Sequence, residues 1–362
     1  MKICHVITAL DQGGAEILLS NVANIMSKEH EIHVICLKHQ TKIINRFSTN
    51  VKVQVIGLNF STVFRLHSLL KILKPEIVHT HLGHADFLGL ISTLGLKTKR
   101  FCTMHNIWFK KNAFDYVFFA LYIIYFNILF RDAKVISISD SVYQHVRKWY
   151  RLDDNRNFLL KNAIGGKPSL FSKHDARQYC GFENNQFIIT FVGRFSKQKN
   201  LPFLLKSFKE ISLLGNDIKL CLVGEGDLLV TLKQMVFDLG LVSKVVFLGV
   251  KENVNDFIKM ADLLVLPSIF EGFGLVILEA FREGTPVIAS NIEGPKELIE
   301  HNKDGMLFTS GSEREFVSAV TELYNDRNKL LVFSENAKNK FRTFGTLESY
   351  CQKLTDFYLS GK

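Results

Sequence analysis

No C-x-x-C pair occurs among the six cysteines (Cys4, Cys36, Cys102, Cys180, Cys221, Cys351), and none has a histidine partner at metal-ligand spacing. That argues against a disulfide framework and a cysteine-based zinc site, and the residues read as buried thiols in a reducing compartment. The opening MKICHVITALDQGG has too short an apolar run for a secretory leader and runs straight into a glycine turn, so it is expected to belong to the fold. The fingerprint G-x-G-x-x-G is missing from that turn, and no acid follows at the right distance after a second strand, which excludes the usual dinucleotide site. Nor does any recognised nucleic-acid motif occur.

The 362 residues suit two domains of moderate size, and a 47% hydrophobic content is ample for two cores. Charge is unevenly divided between them. Residues 1–165 hold 21 Lys and Arg against 11 Asp and Glu, whereas residues 166–362 hold 24 of each. A basic half can meet nucleic acid, or an anionic membrane surface or diphosphate-bearing lipid. The absence of a nucleic-acid motif and an aromatic stretch in the same half favour the membrane.

The most informative stretch is ADLLVLPSIFEGFGLVILEAFREGTPVIASNIEGPKELI, residues 261–299. Leu263 to Leu266 is an apolar run ended by Pro267, the pattern of a central parallel strand. A loop with Glu271, Gly272, Phe273 and Gly274 follows, then a helical pattern from Leu275 that Gly284 and Pro286 stop. Pro286 to Ser290 is the next strand. Amides at the start of such a helix point at whatever lies above the sheet. Glu271 in the loop and Glu279 in the helix are thereby placed at different depths of one crevice at the carboxyl ends of the strands, where open α/β sheets bind ligands. A helical Glu alone is usually a solvated face residue; here the surrounding phrase carries the weight.

Elsewhere the pattern alternates strand and helix, which predicts a parallel sheet. Strands are expected at 2–7, 32–37, 51–56, 77–81, 101–106 and 135–138. The turn at Gly13 and Gly14 opens a helix to about Lys28. His79 and His81 share a strand face and are expected to run into a loop holding His84. Three histidines raise the question of zinc, but no Cys or acid completes a tetrahedral set. Residues 113–130, AFDYVFFALYIIYFNILF, could span a membrane by length alone. Asp115, Asn127, the central aromatics and the strand that follows favour a core or interfacial helix instead, flanked by Lys110, Lys111 and Arg131 as on an anionic surface. Ser139 is a helix cap. Residues 165–185 read as linker by their Gly, Pro, Ser and Lys. A second domain then opens with a buried strand from Phe187 to Gly193, followed by Arg194 and Lys199. Both can meet a diphosphate, Arg bidentately and Lys as a point charge; the alternative is a solvated basic loop. Ser312-x-x-Glu315 is a capping box.

Taken together, the phrases E-G-F-G-L-V-I-L-E-A with G-T-P-V-I-A-S, F-V-G-R-F-S-K-Q-K-N and T-M-H-N resemble the retaining glycosyltransferases of family 4. The resemblance spans nearly the whole chain and is strongest from 187 to 310. It implies a GT-B fold: two facing Rossmann-like domains with a cleft between them, residues 1–165 for the acceptor, 166–345 for the donor, and 346–362 returning as a helix to the first. It implies transfer of a hexose or N-acetylhexosamine from a nucleotide-diphosphate sugar, foremost a UDP-sugar, to a saccharide or lipid-diphosphate-linked acceptor. The setting would be bacterial O-antigen or capsule synthesis at the cytoplasmic face of the plasma membrane, with peripheral contact through the basic half. The resemblance also implies the residue roles. Arg194 and Lys199 grip the diphosphate, with Gly13 and Gly14 approaching it from the first domain. Gly224 and Val250 belong to loops around the base, and Glu279 binds the ribose. Glu271 holds sugar hydroxyls beside the amides of Phe273, Gly274 and Leu275, and His105 holds a sugar hydroxyl and the developing charge. Asn162 stands where the family phrase N-G-V/I-D has lost its Gly and Asp, and receives no role. No D-x-D occurs, so no metal or other cofactor is expected.

Three other readings compete. A glycosidase would use the two Glu as acid and base but leaves the Arg/Lys loop and the glycine turns unexplained. A sugar-nucleotide epimerase of the same fold would not need the basic, aromatic half. A non-catalytic sugar-nucleotide-binding partner of a membrane complex has no chemical reason to keep Glu271, Glu279, Arg194, Lys199 and His105 together.

Overall fold

A computed structural model describes residues 1–106, 120 and 123–360. The chain divides into two compact units, Met1–Gly165 joined by the segment from Gly345 onward, and Gly166–Phe344.

The N-terminal unit is built on seven strands: β1 (Lys2–Ile7), β2 (Glu31–Cys36), β3 (Val51–Val55), β4 (Ile77–His81), β5 (Lys99–Met104), β6 (Lys134–Ser137) and β7 (Asn157–Leu159). Their order is β3-β2-β1-β4-β5-β6-β7, and every pairing is parallel. Ile3, Val6, Ile32, Val34, Ile77 and Phe101 are all buried, as strands covered on both faces require. Strand order reverses between β1 and β4, so the chain ends of these two strands flank a topological switch point. The helix Gly14–Met26 leaves β1 there, directly after Gly13. The last helix, Leu347–Ser360, places Leu347, Tyr350, Leu354 and Tyr358 in the same core as Ile3, Leu18 and Val22. Each such large side chain contributes about 1.5–3 kcal/mol by leaving water.

The C-terminal unit repeats the plan with six strands: β8 (Phe187–Val192), β9 (Ile218–Val223), β10 (Val245–Gly249), β11 (Leu263–Leu266), β12 (Val287–Ser290) and β13 (Gly305–Phe308). The order is β10-β9-β8-β11-β12-β13, again wholly parallel. Its switch point lies between β8 and β11. The loops that leave those two strands hold Arg194, Lys199 and Glu271.

Three expectations need correction. The stretch read as a linker contains a helix, Lys173–Cys180, started by Ser172, whose hydroxyl accepts from the Asp175 amide, and ended at Gly181 in the left-handed region. Its Arg177 reaches the buried carboxylate of Asp262 at 2.6 Å, a tie that a local reading of polar residues could not reveal. His84 stands not in a loop but in a helix, Gly83–Ile91, which begins immediately after Leu82. In the box at Ser312, the Ser accepts from the Glu315 amide, but the Glu315 carboxylate accepts from the amide of Thr309 rather than that of Ser312. The expected helix over 113–130 lies largely outside the described residues. Its end, Tyr125–Leu129, is a wide helical turn with Tyr125 and Phe126 buried and Ile128 and Leu129 exposed.

Candidate active site

In the C-terminal unit the loop after β8 and the loop after β11 are stitched to each other. The Ile269 amide donates to the Gln198 carbonyl at 2.8 Å, and Gln198 Nε2 donates to the Phe270 carbonyl at 2.9 Å. This brings Lys199 Nζ to 2.5 Å from Glu271 Oε1, which also accepts from the Ser268 hydroxyl at 2.7 Å. Glu271 is 9% exposed. Among the described residues, both bonds fall on Oε1. The helix Leu275–Glu283 starts from Gly274 at φ +93, with Phe273 buried beneath. Glu279, half-buried, sits in its second turn.

Gly224 follows β9 and is needed for close packing. At φ +132, a Cβ there would lie 2.1 Å from the carbonyl oxygen of Gly193. The Gly193 amide donates to the Val223 carbonyl, and the Phe195 amide to that of Glu225, so two loops lock backbone to backbone behind Arg194. Arg194 and Val250 are both exposed at the same edge of the sheet. Gly294 supports the acid loop from the other side, its would-be Cβ 3.0 Å from the Phe273 amide nitrogen.

In the N-terminal unit, β1, β4 and β5 gather histidines at the switch point. His5 pairs in register with His79, and His81 with Thr103. His5 Nδ1 lies 3.0 Å from His81 Nε2, and His81 Nδ1 lies 3.4 Å from His105 Nε2. His79 bonds Tyr358 Oη through Nδ1 and Thr103 Oγ1 through Nε2, at 2.5 and 2.7 Å. Burial pushes the imidazoles of His5 and His105 down to about 4. It drives those of His79 and His81 well below the usual range, with the neighbouring histidines adding to the shift. All four are neutral at pH 7. Nitrogens of His5, His79 and His81 lie within 4.8 Å of one another, the one grouping of three metal-capable side chains among the described residues. Five of their six nitrogens already bond each other, Tyr358, Thr103 or His105; His5 Nε2 alone has no hydrogen-bond partner among the described residues. The sequence pointed to His84 as the third histidine; the fold supplies His5 instead, and His84 is exposed. At the start of the helix Gly14–Met26, the space beside Gly13 is filled by the carboxylate of Glu16, 2.2 Å from where a Cβ would stand.

Two family models match this chain, Glycosyltransferase Family 4 over residues 12–164 and Glycosyl transferases group 1 over residues 172–340. The chain belongs to glycosyltransferase family 4. This glycosyltransferase is 27% identical over 379 residues to UDP-Gal:alpha-D-GlcNAc-diphosphoundecaprenol alpha-1,3-galactosyltransferase of Escherichia coli, covering 99% of this chain and 97% of that one. It is 28% identical over 360 residues to the GalNAc-alpha-(1->4)-GalNAc-alpha-(1->3)-diNAcBac-PP-undecaprenol alpha-1,4-N-acetyl-D-galactosaminyltransferase of Campylobacter jejuni, covering 95% and 94% of the two chains. Among solved structures, Anabaena HepE in complex with UDP-glucose superposes with a TM-score of 0.85 at 20% identity, covering 99% of this chain and 100% of that one. WaaG, a glycosyltransferase involved in lipopolysaccharide biosynthesis, gives 0.80 at 17% identity, covering 99% and 100%. The transferase thus has the GT-B fold, with two parallel Rossmann-like sheets.

The fold also supplies neighbours of Glu271 to which the sequence reading gave no role. Ser268 and Gln198 fix Glu271 and its loop, and Gly294 backs that loop. Ser268 lies three residues before Glu271 in the same loop, and Gln198 lies next to Lys199, so both were close in sequence to residues already singled out.

Proposed function

We propose that this glycosyltransferase moves a hexose or N-acetylhexosamine from a UDP-sugar, with retention of anomeric configuration, to a lipid-diphosphate-linked saccharide acceptor in surface-polysaccharide synthesis. The observation that carries the reading is the Lys199–Glu271–Ser268 constellation at the switch point of the C-terminal sheet. An ammonium and a buried carboxylate are held there by two loops whose backbones are already paired. Negative charge develops on the leaving diphosphate as the glycosidic bond breaks. Lys199, Arg194 and the amides opening the Leu275–Glu283 helix are fixed donors for it, each worth about 3 kcal/mol in a preorganised site. Glu271 takes sugar hydroxyls, beside the amides of Phe273, Gly274 and Leu275. Glu279 takes the ribose, and the loops at Gly224 and Val250 take the base. Gly13 and Gly14 are assigned to the donor phosphates, where an anion would have to displace the Glu16 carboxylate. His105 is assigned to a sugar hydroxyl. The names of the Escherichia coli and Campylobacter relatives, each acting on an undecaprenol-linked diphosphate, support the acceptor class, and the UDP-glucose complex of HepE supports the donor.

Peripheral contact with an anionic membrane belongs to the same proposal. Among the described residues, no helix is long and apolar enough to cross a membrane. The basic excess of residues 1–165 is joined by Phe60, Phe64 and Ile72, all strongly exposed along the Thr62–Leu73 helix and its approach, among the exposed Arg65, Lys71 and Lys74. That pairing of aromatic and basic side chains suits an acidic lipid surface.

The test is transfer by the purified protein from UDP-, GDP- and ADP-sugars to a polyprenyl-diphosphate saccharide. The expected result is transfer from UDP-sugars alone, giving an axial linkage from an axial donor. Transfer from another nucleotide class, or inversion at the anomeric carbon, refutes the reading.

A further inference from the structure

The line His5, His81, His105 can be protonated in only two ways. A neutral imidazole carries one N–H, and each of the two contacts needs one donor and one acceptor. In the first arrangement His105 donates from Nε2 to His81, and His81 donates from Nε2 to His5, which leaves the His5 proton on its own Nε2. In the second, every proton sits on Nδ1: His5 donates to His81 at 3.0 Å and His81 to His105 at 3.4 Å. Nε2 of His5 decides between them. It is buried and has no hydrogen-bond partner among the described residues. A proton there would be an orphaned buried donor, which folded proteins rarely tolerate.

A bridging water gives little relief. The adjoining cavity is about 10 Å³, at the lower limit for a single water; half of its lining is apolar (Ala15, Leu18, Leu19, Val22 and Leu354), and the rest is the histidines themselves with Thr103 and Tyr350. The second arrangement leaves only a lone pair at that point. The ring of His81 is also fixed in plane, its centroid 4.2 Å from that of His79 at a tilt of 31°. His79 in turn is held by Tyr358 and Thr103. Like charges at that separation repel, so the stack favours neutral rings.

We infer that His5 and His81 are positioning residues that hold His105 as its Nδ1–H tautomer, so that a neutral His105 presents a donor to the sugar-bearing ligand. The inference rests on the transferase reading for the identity of that ligand, but the tautomer itself does not. It gives His105 a defined task. Nδ1–H donates to a hydroxyl oxygen or to developing negative charge, whereas the basic lone pair on Nε2 is already engaged by His81. His105 therefore does not deprotonate the acceptor hydroxyl.

The test is the imidazole ¹⁵N spectrum of the full-length protein with labelled histidines at pH 7.5, in which His105 is assigned by its disappearance in His105→Gln. The expected spectrum shows a protonated Nδ1 and an unprotonated Nε2 at His105. In His5→Leu and His81→Leu the proton at His105 shifts to Nε2, the form free imidazole side chains prefer. His5→Asn, whose amide can donate from nearly the position of Nδ1, keeps the wild-type pattern. In turnover, His5→Leu lowers kcat about tenfold with the donor KM within twofold of wild type, and His5→Asn restores it. A wild-type His105 protonated on Nε2, an unchanged His105 in both Leu variants, or stoichiometric zinc on these histidines overturns the inference. Should the Leu variants fail to fold, the wild-type spectrum alone decides. Because the spectrum is read without donor, a protein that shows the expected tautomer but transfers no sugar refutes the function and leaves the relay standing. An active enzyme with the wrong tautomer refutes the relay alone.

Discussion

Lys199 and Glu271, 72 residues apart in the chain, share a hydrogen-bonded ion pair in which the carboxylate is nearly buried and the ammonium largely so. Breaking one partner of such a pair leaves the other without compensation. Lys199→Met and Glu271→Gln are each expected to lower the stability of the protein by about 1–3 kcal/mol, and the double variant by less than the sum, with a coupling of about 1–2 kcal/mol. Urea unfolding of the four proteins checks this; additive effects would mean that the pair carries no net interaction.

Gly224→Ala places a methyl against the Gly193 carbonyl at a backbone angle that side chains rarely adopt. The expected cost is about 2–4 kcal/mol of stability. Because the strained contact is with the strand exit leading into Arg194, donor KM should also rise in whatever fraction remains folded. Thermal unfolding and donor saturation curves check both.

The histidine cluster makes the protein sensitive to mild acid. His5 and His105 titrate near 4 when folded and near 6.5 when unfolded, and His79 and His81 are shifted in the same direction. Between those values the unfolded chain binds more protons, so stability rises with pH there. It is complete above about 6.5 and is lost as pH falls, by about 1.4 kcal/mol per pH unit for each proton taken up on unfolding. Urea unfolding from pH 7.5 to 5 should show this slope, shallower in His5→Asn, which has one fewer group to protonate. A flat profile would mean the cluster is already solvated or charged.

For the membrane proposal, sedimentation with phosphatidylglycerol vesicles at low salt should carry the protein down, and phosphatidylcholine vesicles should not. Phe60→Ser with Phe64→Ser is expected to weaken binding about tenfold, since both rings leave the interfacial layer. Indifference to anionic vesicles ends the proposal.

The strand, loop and helix from Leu263 to Glu283 were legible in the sequence because local rules converge there. An apolar run ended by Pro267, a loop with two glycines, of which Gly274 takes up φ +93, and a helix stopped by Gly284 and Pro286 specify strand, turn and helix without tertiary information. The His5 contribution was not legible. It depends on β1 pairing with β4 across a crossover, which sets His5 opposite His79 after an excursion through two other strands. The helix Lys173–Cys180 was hidden for a related reason. Its polar residues look like linker until Arg177 is seen donating to Asp262, which also accepts from Lys173 and from the Ile188 amide. Periodicity reads what a segment does alone; these residues matter through partners brought by the sheet.

The most direct measurement is the release of nucleotide diphosphate from UDP-sugars by the wild-type protein, Lys199→Ala and Glu271→Ala, with a lipid-linked acceptor present. If the two loops at the switch point form the donor site, the wild type turns over a UDP-sugar and each substitution lowers kcat/KM about a hundredfold or more. Tight nucleotide binding without turnover by the wild type, or turnover that survives both substitutions within a few-fold, contradicts the account.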